Sequence, residues 1–320
     1  MLRLTAKIQI KSERLWEFEK INAVEVERDT EKLTDTCRLT LAKKMRWDDE
    51  KEIPVKRGDK VTVWLGYDGK LELAFQGYVR TVTTKTPVVI ECEDEMYMLK
   101  QKAAVKKAYR SVTLQQLLED QQTGYTVKVA GEQRLGAYRV TADTVAGLLD
   151  NLQEQGIRSF FRYENENGKA VLWSGVVFKK ETTASQVLES GKNIVSDQNL
   201  KQVRADEQKL RVKVISMMPN NKKVTVEVGD KDGELRTVHC YNKTEAEARM
   251  WGEQELERLK QDGLSGSVTT FGGKLIDKLD AIGVKTDGRK MGAYEVKKSV
   301  IKYGMGGFRQ EVTLGGRISS

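Results

Sequence analysis

Polar and apolar residues alternate along most of the first hundred residues. From Leu4 to Ile10 every second residue is apolar, and the residues between them are polar or short. The same period-two pattern recurs at 37–41 and 61–65. Side chains of a strand point alternately to its two faces, so this pattern predicts half-buried antiparallel strands. We therefore expect residues 1–100 to be mostly strand.

Two short glycine-containing segments predict hairpins. Asp68-Gly69 lies between the apolar runs 61–66 and 71–76, and this dipeptide is typical of two-residue hairpin turns. Near the end of the chain, Gly304-Met-Gly-Gly307 separates the strand patterns 294–301 and 308–314. Both places should join adjacent antiparallel strands.

The periodicity changes between about residues 100 and 180. Thr113-Leu-Gln-Gln116 has a capping-box pattern, and Gly124 supplies a stop for the helix that it begins. A second helix is predicted from about Asp143 to Gly156. Two strand patterns, 159–163 and 170–173, then flank the turn Asn165-Glu-Asn-Gly168. We interpret this middle stretch as a small α+β unit.

Strand patterns return from about residue 195 onward. Leu210, Val212 and Val214 alternate with Arg211 and Lys213. One helix, predicted near 244–261, begins with the capping-box pattern Thr244-Glu-Ala-Glu247. Its many charged residues indicate an outer position.

A weak repeat links the two strand-rich stretches. Gly58 precedes Gly77 by nineteen residues, and Gly273 precedes Gly292 by the same interval. A strand, a turn and another strand follow the second glycine of each pair. The coincidence is either chance or the trace of a duplicated β-domain that flanks the middle unit.

Composition narrows the functional classes. A length of 320 residues is typical of about two domains. No apolar run approaches the ~20 residues needed to cross a bilayer, so we expect no membrane insertion. Three widely spaced cysteines do not indicate a disulfide framework, and a single histidine argues against His-based catalysis or zinc binding. The net charge of +8 fits nucleic acid, an acidic partner or solubility alone.

Motifs that carry chemistry are missing or out of context. Gly272-Gly-Lys-Leu275 lacks the earlier glycine and the following Ser or Thr of a phosphate loop. His239 and Cys240 are adjacent, and on a strand their side chains point to opposite faces. A glycosidase needs only two carboxylates, but Glu91, Glu93, Asp94 and Glu95 have the pattern of an open strand face and its exit turn. We predict no catalytic, cofactor-binding or metal-binding residue, no cofactor and no enzymatic activity.

Motifs spread over nearly the whole chain resemble those of one family. They are Gly58-Asp-Lys-Val-Thr-Val63, Phe75-Gln-Gly-Tyr-Val79, Val89-Ile-Glu-Cys-Glu-Asp94, a helix near 141–155, Gly292-Ala-Tyr-Glu-Val296, Tyr303-Gly-Met-Gly-Gly-Phe308 and Val312-Thr-Leu314. In this order they resemble tailed-phage baseplate hub proteins, the late-control-protein-D-like group related to the hub part of contractile injection system spikes. Each motif is short.

The resemblance implies a mainly β fold with an α+β insertion. Two β-barrel-like tube domains, at 1–100 and 195–320, would flank a small α+β domain at 101–194. Three copies would form a homotrimeric ring with pseudo-six-fold symmetry. Such a ring would join a hexameric tail tube to a trimeric spike in the baseplate of a contractile phage tail or a related injection particle, assembled in the bacterial cytoplasm.

The same resemblance suggests surfaces and partners. Arg211, Lys213 and Lys297 are the candidates for a channel-lining or subunit-contacting face, because each lies opposite buried apolar neighbours on its strand. The expected partners are the tail tube protein and a separate spike protein, since the chain ends at Ser320 without room for a fused spike. A mildly basic channel could also pass DNA.

Two other functions remain open on the sequence alone. The positive charge would suit a β-barrel nucleic-acid-binding protein. The many carboxylates would permit a peptidoglycan hydrolase of the tail. The sequence does not distinguish a phage from a bacteriocin or a secretion device.

Overall fold

The computed structural model describes residues 3–42, 53–83, 86–164, 168–176, 178, 184–286 and 289–318. The predicted turn residues 165–167 lie outside these ranges. Strands dominate the described chain, and its few helices lie in the middle and in the second half. The prediction of a mainly β fold with an α+β insertion is confirmed.

Seven strands are present among the described residues of the first strand-rich region. They are β1 (Leu4–Lys11), β2 (Leu15–Phe18), β3 (Ala23–Asp29), β4 (Thr36–Thr40), β5 (Lys60–Tyr67), β6 (Lys70–Val82) and β7 (Val89–Glu93). The predicted Asp68-Gly69 hairpin joins β5 to β6, and both of its residues have positive φ, 50° and 81°. Asp and Gly tolerate this left-handed conformation, which explains the tight turn.

The middle region is an α+β unit, called the insertion below. Its elements are α1 (Met96–Gln101), β8 (Ala108–Thr113), α2 (Leu114–Asp120), β9 (Thr126–Ala130), β10 (Arg134–Arg139), α3 (Val145–Gln153), β11 (Arg158–Glu164) and β12 (Lys169–Gly175). Both predicted helices are present. The side chains of Thr113 and Thr144 accept hydrogen bonds from the N–H groups three residues on and so cap α2 and α3.

The last region combines a long sheet with a smaller one. Its elements are β13 (Gln186–Glu189), β14 (Ile194–Ser196), β15 (Lys201–Val203), β16 (Leu210–Met217), β17 (Lys223–Gly229), β18 (Glu234–Tyr241), α4 (Glu245–Leu259), β19 (Gly263–Ser265), β20 (Ser267–Phe271), β21 (Ala281–Thr286), β22 (Arg289–Gly304) and β23 (Gly307–Ile318). The predicted helix near 244–261 is α4, with the complete capping box at Thr244.

The smaller sheet has the order β17-β16-β18 and carries α4 on one face. Val212 and Val214 of β16 are fully buried beneath the helix. Gly252 allows the close approach, because a Cβ there would come within 2.8 Å of the Val214 side chain. Arg211 and Lys213, which alternate with these valines, consequently lie on the face away from α4.

The two strand-rich regions have the same strand order. Neighbouring strands run β1-β5-β6-β7-β4-β3 in the first region and β13-β21-β22-β23-β20-β14 in the last. The corresponding strands also follow one another in the same order along the chain. All of these pairs are antiparallel except β13 with β21, which is parallel. We call these two sets the first repeat and the second repeat.

The backbone detail of the repeats agrees as well. In the first repeat, the N–H of Gly58 donates to the C=O of Val79, and the N–H of Val79 donates to the C=O of Asp59, each at 2.9 Å. In the second repeat, the N–H of Leu279 donates to the C=O of Val296, and the N–H of Val296 donates to the C=O of Asp280, also at 2.9 Å. A β-bulge follows directly after both valines. The duplicated unit therefore includes the turn, its two hydrogen bonds to a valine of the neighbouring strand, and the β-bulge after that valine.

The structure corrects the residue correspondence that the glycine spacing predicted. Gly58 corresponds to Leu279, rather than to Gly273, because both occupy the turn with positive φ, 92° and 67°. Gly77 lies two residues before Val79, and Tyr294, rather than Gly292, holds that position in the second repeat. The spacing identified the right pair of hairpins and the wrong register.

A continuous sheet joins the two repeats. The first half of β22 pairs with β21, and its second half pairs on the same side with β3, from Lys298↔Asp29 to Gly304↔Ala23. Ile301 and Phe308 are fully buried in the core of the first repeat. β13 and β14, which fall near the end of the predicted 101–194 domain, pair with strands of the second repeat.

Candidate functional site: the ionic junction and the strand edges

A buried ionic cluster lies where both repeats and the insertion meet. It contains three cations and four carboxylates, and we call it the ionic junction: Arg28, Asp35 and Asp94 from the first repeat, Arg162 from the insertion, and Asp277, Lys278 and Asp280 from the second repeat. All three parts of the chain therefore contribute charge to it.

The expectation of an open carboxylate face at the end of β7 was wrong. Glu93, Asp94 and Glu95 are only 6%, 1% and 3% exposed. The pattern misled because the insertion and the second repeat cover this end of the strand, and period-two alternation carries no information about such tertiary cover. Only Glu91, among these four, is partly exposed and ion-paired at the surface, with Arg80 at 2.7 Å.

Lys278 is the centre of the junction. Its side chain is 0% exposed, and its Nζ lies 2.7 Å from both carboxylate oxygens of Asp35. The ammonium also lies 4.7 Å from the ring centroid of Phe160, on β11 of the insertion. A buried ammonium needs such partners, because leaving water is costly for an unpaired charge.

Two arginines complete the connection. Arg28 lies 3.5 Å from Asp277 and donates a hydrogen bond to the carbonyl of Ala74. Arg162 of the insertion pairs with Asp280 at 2.7 Å. Each pair joins residues distant in sequence, so the junction fixes the insertion and the second repeat against the first repeat.

Asp94 differs from the other carboxylates of the junction. Its described direct partners are the N–H groups of Asp35 and Met96, at 3.2 and 3.0 Å. Burial, followed by the neighbouring charge of Asp35, raises the pKa of Asp94 to about 8. Burial would also raise the pKa of Asp277, but the three cations hold it below its usual range. The neutral form of the Asp94 carboxyl is therefore favoured near neutral pH.

A cleft of about 540 Å³ lies between the first repeat and the insertion, beside Glu95, the residue after Asp94. Glu95 lines it and accepts hydrogen bonds from Tyr125 and Gln76, at 2.7 and 3.1 Å. It is the one acid among the described lining residues, which also include Lys60 and Tyr78. This arrangement lacks the facing pair of carboxylates that glycoside hydrolysis needs.

The structure divides the three predicted surface residues between two places. Arg211 and Lys213 lie on β16, on the face away from α4, and both approach Glu227, at 3.6 and 3.9 Å. Lys297 lies on β22 and pairs with Glu31 at 2.9 Å. Lys297 therefore lies at the contact between the two repeats of one chain. A channel-lining role for the three residues stays a prediction.

The sequence pattern singled out only Asp94 among the junction residues, and as part of an open face. One signal was available in the sequence: an aspartate ends both four-residue turns, Asp59 in 56–59 and Asp280 in 277–280. In the structure, the N–H of the first residue of each turn donates to that carboxylate at 2.8 Å. Nothing in the local pattern, however, shows that Lys278 is buried. That depends on cover from the other parts of the chain.

Two further observations concern the described residues as a whole. No group of three or more His, Cys, Asp or Glu in the described ranges is arranged to hold a metal ion. None of the described helices combines the length and the apolarity that crossing a bilayer requires.

Comparison with known proteins identifies structural relatives only. No protein-family model matches the chain, and no curated protein is similar to it in sequence. A 43 kDa tail protein of prophage MuSo2 from Shewanella oneidensis superposes with a TM-score of 0.63 at 16% identity, covering 98% of both chains. A tail protein from Neisseria meningitidis gives 0.63 at 13% identity, covering 98% of this chain and 96% of that one.

A third relative comes from a secretion system. An Escherichia coli component of the type VI secretion system, described as similar to bacteriophage T4 tail proteins gp27 and gp5, gives a TM-score of 0.57 at 10% identity. The alignment covers 97% of this chain and 76% of that one. The chain therefore has the fold of phage tail and injection-system proteins, and the predicted resemblance to the baseplate hub family is confirmed at the level of the fold.

Proposed function

We propose that this protein is a non-enzymatic structural hub of a contractile phage tail or a related injection particle. Three copies form a ring with approximate six-fold symmetry, because each chain supplies two similar units. One face of the ring meets a hexameric tail tube, and the other meets a separate trimeric spike. The protein resides in the baseplate of the particle and is assembled in the bacterial cytoplasm.

The repeated strand order is the observation that carries this proposal. Two units with the same order, turn and bulge can present six nearly equivalent surfaces from three chains. Head-to-tail contacts of this kind close into a ring when the rotation fits. Among the described residues, the end of β6 beyond Val79 pairs only with β7, and β15 pairs only with β19. Such strand edges also support the proposal, because they are normally covered by a partner.

The test is the mass and shape of the purified protein. Light scattering should give three times the 36.2 kDa chain mass, and electron microscopy should show a ring with six lobes around a hole. A stable monomer at micromolar concentration would overturn the proposal. DNA binding that weakens steeply with salt would instead favour a nucleic-acid-binding function, and a cleared band on cell-wall zymography would favour a hydrolase.

A further inference from the structure

The contact between the repeats of one chain provides a template for the contact between chains. After its bulge, β22 pairs antiparallel with β3, with Lys298 opposite Asp29 and Ser299 opposite Arg28. The N–H of Thr30 also donates to the carbonyl of Lys297 at 3.1 Å. This edge of β22 is thus fully used within the chain.

The corresponding edge of β6 is open. Val79 corresponds to Val296, so Thr81 corresponds to Lys298. β5 ends its pairing with β6 at Lys60↔Tyr78, and Val79 bonds the turn that precedes β5. Beyond Val79, the described residues give β6 strand partners only on its other side, where β7 lies.

The second repeat also leaves an open edge, at its counterpart of β3. β14 and β15 together correspond to β3, and β19 and β20 together correspond to β4. Glu27↔Thr36 in the first repeat matches Lys201↔Ser265 in the second. Among the described residues, β15 pairs with β19 alone. Its opposite edge is where the template places a strand equivalent to the second half of β22.

We propose that β6 of one copy pairs with β15 of the next copy, with Thr81 opposite Val203 and Thr83 opposite Lys201. The inference rests on the proposed ring and specifies its intersubunit contact. The register follows from the template, since Thr81 takes the place of Lys298 and Val203 that of Asp29. The two strands are antiparallel.

The charges at the two edges are of opposite sign, as in the template. Lys297 pairs with Glu31, in the turn after β3, at 2.9 Å. Arg80 takes the place of Lys297 and pairs within its own chain with Glu91 at 2.7 Å. The turn after β15 carries Asp206 and Glu207, which are 67% and 69% exposed and lie 2.9 and 3.7 Å from Arg204 of the same turn. Because two carboxylates face one arginine there, the turn keeps a net negative charge for Arg80 of the next copy.

A double-cysteine variant tests the contact. Thr81→Cys combined with Val203→Cys should form covalent dimers and trimers on oxidation. A short bismaleimide should give the same products, and its longer reach also tolerates a one-residue error in the proposed register. Each single variant should form none. Background is low because Cys37, Cys92 and Cys240 are buried. The control pairs Thr81→Cys with Val187→Cys, an exposed position on β13 that the template leaves far from β6.

The outcomes separate this contact from the ring itself. A trimer by light scattering that gives no cross-link, or that cross-links equally well in the control, overturns the pairing and leaves the ring standing. A monomer overturns both. If the double variant does not fold, hydrogen exchange of the assembled wild type decides. The N–H groups of Val82 and Gln202 lie on the open edges, because their neighbours bond β7 and β19. These two amides should exchange at least about tenfold more slowly in the trimer than in the dissociated chain, and equal exchange overturns the contact.

Discussion

The turns that precede β5 and β21 have the same backbone geometry but lie in two different environments. Residues 56–59 lie at the surface, where Lys56 and Arg57 are exposed. Residues 277–280 lie in the ionic junction, where Lys278 is fully buried. Their backbone bonds agree to within a few tenths of an ångström. The duplication preserved the geometry of the turn, and the location of each copy decided its side chains.

The third position of each turn shows the same principle. Both residues have positive φ, which glycine adopts without strain and a branched side chain does not. The exposed turn has Gly58, whereas the buried turn has Leu279, which packs with Phe160 and Phe178 of the insertion. The apolar contact offsets a strained backbone only where the insertion covers the turn.

The largest difference between the turns should appear on removing the cation. Lys278→Met leaves Asp35 buried without its partner, and breaking a buried pair in this way typically costs about 3–5 kcal/mol. Urea unfolding of the purified protein measures the change in free energy.

The matched control is Arg57→Met, at the corresponding exposed position of the first repeat. It should change the free energy of unfolding by less than about 0.5 kcal/mol, as surface substitutions usually do. Equal effects of the two variants would contradict a special role for the junction. Adding Asp35→Asn to Lys278→Met should recover part of the loss, because the remaining partner is then neutral.

The sequence predicted the local elements well and the junction poorly, for a physical reason. Alternation, the Asp68-Gly69 turn and the cap at Thr244 are local signals, and all three correspond to observed structure. The burial of Lys278 depends on residues more than a hundred positions away, on β11 and at Asp35. The register of the repeat was also hidden, because Leu279 replaces the glycine that would have marked it.

The next effect in size concerns the strained turn. Leu279→Gly removes a buried side chain but relieves the left-handed backbone, so the usual loss of about 2–5 kcal/mol for a leucine truncation should fall by about 1–2 kcal/mol. Leu279→Ala keeps the strain and should be the more destabilising of the two. The reverse order in thermal or urea unfolding would show that the backbone at this turn is not strained.

The proton on the buried Asp94 should make the stability of the folded chain depend on pH. The folded-state pKa of about 8 lies above the ordinary value near 3.9, so between those values the folded chain holds a proton that the unfolded chain has lost. The free energy of unfolding should therefore fall as pH rises from 5.5 to 8, by at most about 1.4 kcal/mol per pH unit.

Asp94→Asn should flatten that dependence, because an amide cannot lose the proton. Asp232→Asn, on the exposed turn between β17 and β18, is the control and should leave the slope as it is in the wild type. A wild-type free energy that stays constant or rises over this pH range would contradict a proton held at the junction. The measurement is a series of urea unfolding curves in buffers of matched ionic strength.

The smallest effect on chain stability should come from the paired surface cations of the two repeats. Lys297→Ala removes an ion pair whose partners are 41% and 58% exposed, so the free energy of unfolding should change by less than about 1 kcal/mol. Arg80→Ala removes the ion pairs with Glu91 and Glu93, at 2.7 and 3.6 Å, and because Arg80 is 49% exposed and Glu93 keeps Lys100 as a partner, the loss should be about 1 kcal/mol.

The effects of the two variants on assembly should differ. Because Lys297 bonds within one chain and Arg80 faces the proposed neighbour, only Arg80→Ala should shift the monomer–trimer equilibrium toward monomer in sedimentation velocity. Equal dissociation by both variants would place the two edges in the same contact and contradict the assignment of one edge to each.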